Sequence, residues 1–179
     1  PEDRLIHALP IFHIHGLFVA LNVTLCTGSG LYWLTKFNAD SIAQLMAQAT
    51  VLMGVPTFYV RLLASDKLTM ASVENMRLFI SGSAPLLSET HHLWSQRTGH
   101  AILERYGMTE TNMNASNPYI GERRAGSVGL ALPGVEILIS DPDTGKELEN
   151  GQVGQILVKG DNGFKGYWNM PEKTAEELN

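Results

Sequence analysis

The run LFISGSAPLLSETHHLWSQRTGHAILERYG, Leu78 to Gly107, decides the fold. Leu78–Ile80 is a short apolar strand that empties into the small-residue loop Ser81-Gly82-Ser83-Ala84-Pro85. Ser88 is placed to cap a helix running to Arg97, and Gly99 to end it. Ala101–Tyr106 then reads as a second strand that meets Gly107 directly. Both strands are continuously apolar at their starts instead of alternating, which predicts a parallel sheet covered on both faces.

Working toward the N-terminus, the same alternation recurs. Val51–Val55 is a buried strand, and Pro56 suits the first turn of a helix over Thr57–Ala64. Asn38 is a good N-cap for a helix over Ala39–Gln48, whose Ile42, Leu45 and Met46 share a stripe. Leu31–Phe37 is a short strand, and Gly16–Thr27 a helix packed on most faces and closed by Gly28 and Gly30. Leu5–Phe12 is an apolar strand ended by Pro10 and two histidines. Toward the C-terminus the character changes after about Ala125. Val135–Ser140 and Gln155–Lys159 read as antiparallel strands joined through Asp141-Pro142-Asp143-Thr144-Gly145, and Glu172–Leu178 begins a helix. The fold class expected is therefore α/β, a mostly parallel sheet with helices on both faces, followed by a small antiparallel β region. Residues 1–125 form the first unit and 126–179 the second.

At 179 residues, 44% hydrophobic and 17% charged, the chain can bury a substantial core and is not disordered. Its longest apolar stretch, Gly16–Cys26, is broken by Asn22 and is too short for a membrane span. A net charge of −5 argues against a nucleic-acid partner. The single cysteine, Cys26, makes no internal disulfide, which points to a reducing, cytoplasmic setting. The chain has no initiator methionine, so Pro1 is expected to be an internal position of a longer protein.

The densest chemistry lies in Glu104-Arg105-Tyr106-Gly107-Met108-Thr109-Glu110-Thr111. In parallel α/β sheets, ligands sit beyond the carboxyl ends of strands. Here such an end offers a ring to stack on a base, a glycine for close backbone approach, a hydroxyl for a phosphate oxygen and a carboxylate for Mg²⁺. Spacing alone allows an equal alternative, a strand-to-helix turn with a Thr-Glu capping pair. Thr27-Gly28-Ser29-Gly30 lacks the Gly-Lys-Ser/Thr ending of a phosphate-binding loop, and the six histidines show no metal-ligand spacing.

Tyr106-Gly107-Met108-Thr109-Glu110 resembles the signature of the adenylate-forming superfamily, which contains the acyl-CoA synthetases. Other segments match in the same order: Leu9–Gly16, Gly54–Thr57, Ser81–Leu86, Gly126–Gly134 and Lys165-Gly166-Tyr167-Trp168. The resemblance implies that Tyr106 stacks on adenine while Ser83, Ala84 and Pro85 cover its other side, with Gly107 admitting the nucleotide. It also implies that Thr109 contacts the α-phosphate, that Glu110 binds Mg²⁺, and that His13 positions the acid beside the acyl pocket. For His13 and His15, a pair of satisfied histidines at a strand end is the alternative.

Within the superfamily, the stretches Leu78–Leu86 and Glu104–Ser116 resemble most the malonyl-CoA synthetases. The implied substrates are malonate, ATP and coenzyme A, and the implied activity is that of an acid–thiol ligase releasing AMP and pyrophosphate. A second carboxylate on the substrate asks for a cation where fatty or aryl acid pockets are apolar. Arg105 precedes Tyr106, and in an extended strand the two side chains face opposite sides. Arg61 follows Thr57 by one helical turn in an otherwise apolar segment, and an arginine fork matches a carboxylate. Surface placement or an internal ion pair is the alternative for both. Arg123 and Arg124 are weaker candidates. Met108, Met113 and Asn114 could wall the pocket or simply pack in the core.

The superfamily's phosphate loop, ribose-binding aspartate and mobile C-terminal domain have no counterpart in these residues. The chain is expected to be a fragment with little activity alone. The remaining alternatives are a ligase for another acyl or aryl acid, and a non-catalytic nucleotide-binding piece.

Overall fold

In the computed structural model, which describes residues 2–178, consecutive residues of the first strand are buried on opposite sides of one sheet. In β1 (Arg4–His7), Leu5 packs with Val19, Val51, Met53 and Ile80, whereas Ile6 packs with Ile42, Leu52, Tyr59 and Phe79. That is the two-sided burial the continuous apolar strands call for. The sheet has seven strands, in the order β2 (Gly30–Trp33), β1, β3 (Val51–Gly54), β4 (Leu78–Ser81), β5 (Leu103–Met108), β6 (Asn112–Ser116) and β7 (Leu130–Ala131). All pairings among the first five strands are parallel.

One face is covered by a helix that starts as a π-helical segment, His15–Asn22, and continues as α1, Val23–Thr27. The other face is covered by α2 (Ala39–Leu45), α3 (Pro56–Leu63) and α4 (Ser88–Thr98). At the centre of that face Trp94 meets Tyr59 and Phe79 edge-on, with ring centroids 5.0 and 4.9 Å away. The α/β expectation holds, and the stripe Ile42, Leu45, Met46 faces this core.

Several boundaries differ from the sequence reading. The first strand stops at His7, since Pro10 turns the chain and its carbonyl accepts from the His13 amide at 3.3 Å. Gly28, in left-handed conformation at φ 65°, ends the first helix, but Gly30 opens β2. That helix leaves Phe18, Val23 and Leu25 exposed, so it is packed on one side only. Asn38 caps α2 as expected, its Oδ1 accepting from the Ser41 amide at 2.9 Å. Ser88 is not a cap: Leu87 holds that position in extended conformation, and Ser88 is the first helical residue.

The largest local difference lies at the candidate site. The chain does not pass from β5 into a helix. It reverses over Thr109–Thr111 and returns as β6 (Asn112–Ser116), antiparallel to β5, with an irregularity between Tyr106 and Gly107. β7 (Leu130–Ala131) pairs antiparallel with β6, so the large sheet runs on past residue 125. A separate antiparallel hairpin follows, β8 (Val135–Ser140) with β9 (Gln155–Gly160), and then α5 (Pro171–Glu177). Among the described residues, no helix is long and apolar enough to cross a membrane.

Candidate active site

The carboxyl ends of β4 and β5 and the start of the first helix converge on one cleft. Its walls include His15, Gly82, Ser83, Arg105, Gly107 and Met113. Gly82 follows β4, and a Cβ there would lie 3.5 Å from both the His15 ring and the Arg105 carbonyl oxygen. Ser83 has φ 70°, a conformation that L side chains rarely adopt, and its Oγ lies 3.0 Å from His15 Nδ1. The hydrogen bond to His15 supports this strained turn, beyond which Ala84 and Pro85 are exposed. His15 is buried, and desolvation, aided by His13 and Arg105 nearby, pushes its pKa down to about 4, so the ring is neutral at pH 7. Gly16 allows the helix to begin this close to the turn before it: a Cβ there would sit 2.2 Å from the Pro10 carbonyl oxygen.

Along β5 the side chains alternate. Glu104 is buried on one side, where its Oε1 accepts from the Gly126 amide at 3.2 Å and burial raises its pKa. Arg105 lines the cleft and is half-buried; burial lowers its pKa. Its Nε has no hydrogen-bond partner, and among the described residues no carboxylate pairs with its guanidinium. The nearest acid in sequence, Glu104, is thus taken by a backbone amide across the strand. Tyr106 does not line the cleft, and its hydroxyl lies 3.4 Å from Met108 Sδ. Gly107 is sterically required: a Cβ would lie 2.1 Å from the Asn112 carbonyl oxygen.

At the tip of the hairpin Met108 and Thr109 are exposed and Glu110 is half-buried. Glu110 Oε1 accepts a hydrogen bond from the Tyr167 hydroxyl at 2.8 Å. No cluster of three or more His, Cys, Asp or Glu occurs among the described residues.

Ser83, Arg105, Gly107 and Met113 are thus brought together at one cleft, whereas Tyr106, Met108, Thr109 and Glu110 are not among the residues that line it. His13 is exposed and does not line it; His15, two residues on, does. Arg61 is also elsewhere: exposed on the last turn of α3, its guanidinium lies over the Phe37 ring at 4.5 Å. Arg123 bonds the carbonyls of Ala101 at 2.7 Å and Tyr119 at 3.1 Å, so its charge is engaged in holding a loop. Asn114, in β6, is fully buried. Sequence reasoning gave no role to Tyr167 or Asn162, whose partners are more than 45 residues away.

A model of the family described as AMP-binding enzyme matches residues 1–168. The chain belongs to the AMP-binding enzyme family. Its similarity to a malonate–CoA ligase of Arabidopsis thaliana is 42% identity over 98% of this chain and 32% of that protein. The crystal structure of ATP-bound MatB from Rhodopseudomonas palustris is 65% identical, with a TM-score of 0.97 over all of this chain and 36% of that one. A malonyl-CoA ligase product complex with methylmalonyl-CoA and AMP is 40% identical, with a TM-score of 0.88 over 99% of this chain and 39% of that one. The chain spans about a third of the length of the curated relatives it matches.

Proposed function

We propose that the full-length protein is a malonyl-CoA synthetase and that this chain supplies its adenine, α-phosphate and acid-binding surfaces. The observation that carries the reading is Arg105, a half-buried guanidinium facing a cleft with no acid among the described residues paired to it. Such a group is expensive to desolvate unless it meets an anion, and a dicarboxylate supplies one at its far end. The relatives described as malonate–CoA ligases support the same assignment.

The mechanism follows from the two faces of β5. Tyr106 stacks on adenine, and Ser83, Ala84 and Pro85 close over its other side. Thr109 donates its hydroxyl to the α-phosphate. Arg105, on the opposite side of the strand, holds the distal carboxylate and leaves the near one free to attack the α-phosphorus as pyrophosphate departs. In the second half-reaction the coenzyme A thiol attacks the acyl carbon and AMP leaves. His15 keeps the Ser83 turn in place as a neutral ring, and Met113 walls the acid pocket. His13, exposed, and Arg61, stacked on Phe37, would each have to move to join the acid.

Mg²⁺ fits the groups present: Glu110 offers a half-buried carboxylate with one oxygen bonded to Tyr167, and Thr109, the residue before it, carries a hydroxyl. One carboxylate plus substrate phosphates is a usual ligand set for this ion. When bound there, it would offset phosphate charge. A cytoplasmic location accords with the free Cys26.

The decisive test is Arg105→Ala in the full-length protein. The Michaelis constant for malonate is expected to rise about 10- to 100-fold, the loss of a charge-assisted contact, while that for ATP stays within about twofold. An unchanged malonate dependence, or a wild-type preference for octanoate or coumarate over malonate, would remove the assignment.

A further inference from the structure

The segment after β9 has no part in the cleft, yet it grips the hairpin tip at several points. Asn162 Nδ2 points at the Thr111 carbonyl at 2.6 Å and at Asn114 Oδ1 at 3.1 Å. The Phe164 amide donates to the Glu110 carbonyl at 2.7 Å. The Tyr167 hydroxyl then donates to the Glu110 side chain at 2.8 Å. Tyr167 is itself fixed. Its ring meets Phe164 edge-on at 4.8 Å, and its amide donates to Thr174 Oγ1 of α5 at 2.9 Å. Gly166, at φ 137°, is tight against the same threonine, where a Cβ would lie 2.6 Å from Thr174 Cγ2.

We infer that Tyr167 is a positioning residue for the carboxylate of Glu110, holding one oxygen so that the other is presented to a divalent cation. This rests on the reading of Glu110 as the metal ligand given above. A carboxylate on an exposed turn would otherwise sample many rotamers, and fixing it at the moment of binding costs entropy. Carboxylates that bind metals are themselves held by hydrogen bonds, and removing the partner weakens the metal typically 10- to 100-fold. A phenol suits the task because it donates one proton, adds no charge and stays protonated at neutral pH. Asn162 and the Phe164 amide hold the backbone of the tip, and Tyr167 sets the side chain.

The test is calorimetric titration of Mg²⁺ into the full-length protein with saturating ATP and no malonate, comparing wild type, Tyr167→Phe and Glu110→Gln. A second titration follows AMP without metal. Phenylalanine keeps the ring against Phe164 and removes only the hydroxyl. Tyr167→Phe is expected to weaken Mg²⁺ about tenfold, with AMP affinity within about twofold and little change in Tm. If Glu110→Gln weakens Mg²⁺ and Tyr167→Phe does not, the inference is overturned while the role of Glu110 stands. If Tyr167→Phe lowers Mg²⁺ and AMP affinity alike, Tyr167 is merely structural and the inference is likewise overturned. If Glu110→Gln leaves Mg²⁺ binding unchanged, the metal assignment falls and takes the inference with it.

Discussion

β4 and β9 are both apolar strands, and only one of them is buried. All four residues of β4 are inaccessible, whereas Ile156 and Leu157 of β9 are exposed. The difference lies in neighbours. β4 is hydrogen-bonded between β3 and β5 and has helices above and below, whereas β9 pairs with β8 alone. The comparison separates two duties. The parallel body supplies the cohesion, and the hairpin with its following segment adds little burial but carries Asn162 and Tyr167 to the tip of the other region.

Four measurements can break or sharpen that division. The strongest effect is expected from Trp94→Ala, which empties the centre of the buried face and should remove about 3–5 kcal/mol of stability in denaturant unfolding. A loss below about 1 kcal/mol would mean that the body is not where stability resides. Next is acid. His15 titrates at about 4 when folded, against 6.5 for an ordinary histidine. Between those values the unfolded chain binds the extra proton. Stability is therefore expected to be complete above pH 6.5 and to fall as pH drops from about 6.5 to about 4, by roughly 3 kcal/mol for this group. His7 and His91, also lowered chiefly by burial, act in the same direction. All three belong to the body, so His15→Gln should flatten the profile, and a pH-independent unfolding midpoint over that window would contradict their burial.

A smaller effect is expected from Gly107→Ala. Its methyl group must displace the Asn112 carbonyl from 2.1 Å, costing about 1–3 kcal/mol and shifting the hairpin tip. AMP binding should weaken more than stability; full AMP affinity would show that the irregularity in β5 is incidental. The smallest is Leu157→Ala in β9, expected to change stability by less than about 1 kcal/mol. A loss comparable to that of Trp94→Ala would erase the contrast between the regions.

Much of this was legible in residue order. Two-sided burial was written in Val51–Gly54 and Leu78–Ser81 because a strand covered on both faces has no polar side to show. Asn38, Pro56, Gly28 and Gly99 marked ends through local chemistry, which needs no distant partner. The reversal at Thr109–Thr111 was not legible. Its antiparallel return depends on pairing with β5 and β7, and a Thr-Glu pair serves a helix start equally well. His15 was weighed only as half of a histidine pair, since its meeting with Ser83 joins residues 68 positions apart.

The sequence by itself determined the parallel body, the motif order and the chemical inventory of β5, because periodicity, capping and residue type act over a few neighbours. Only the tertiary structure decided which of those groups share a space. It left Arg105 facing a cleft with no acid paired to it among the described residues, laid Arg61 over Phe37, and brought Tyr167 to Glu110 across 57 residues. Such meetings are set by how the chain closes on itself, and no local pattern encodes them.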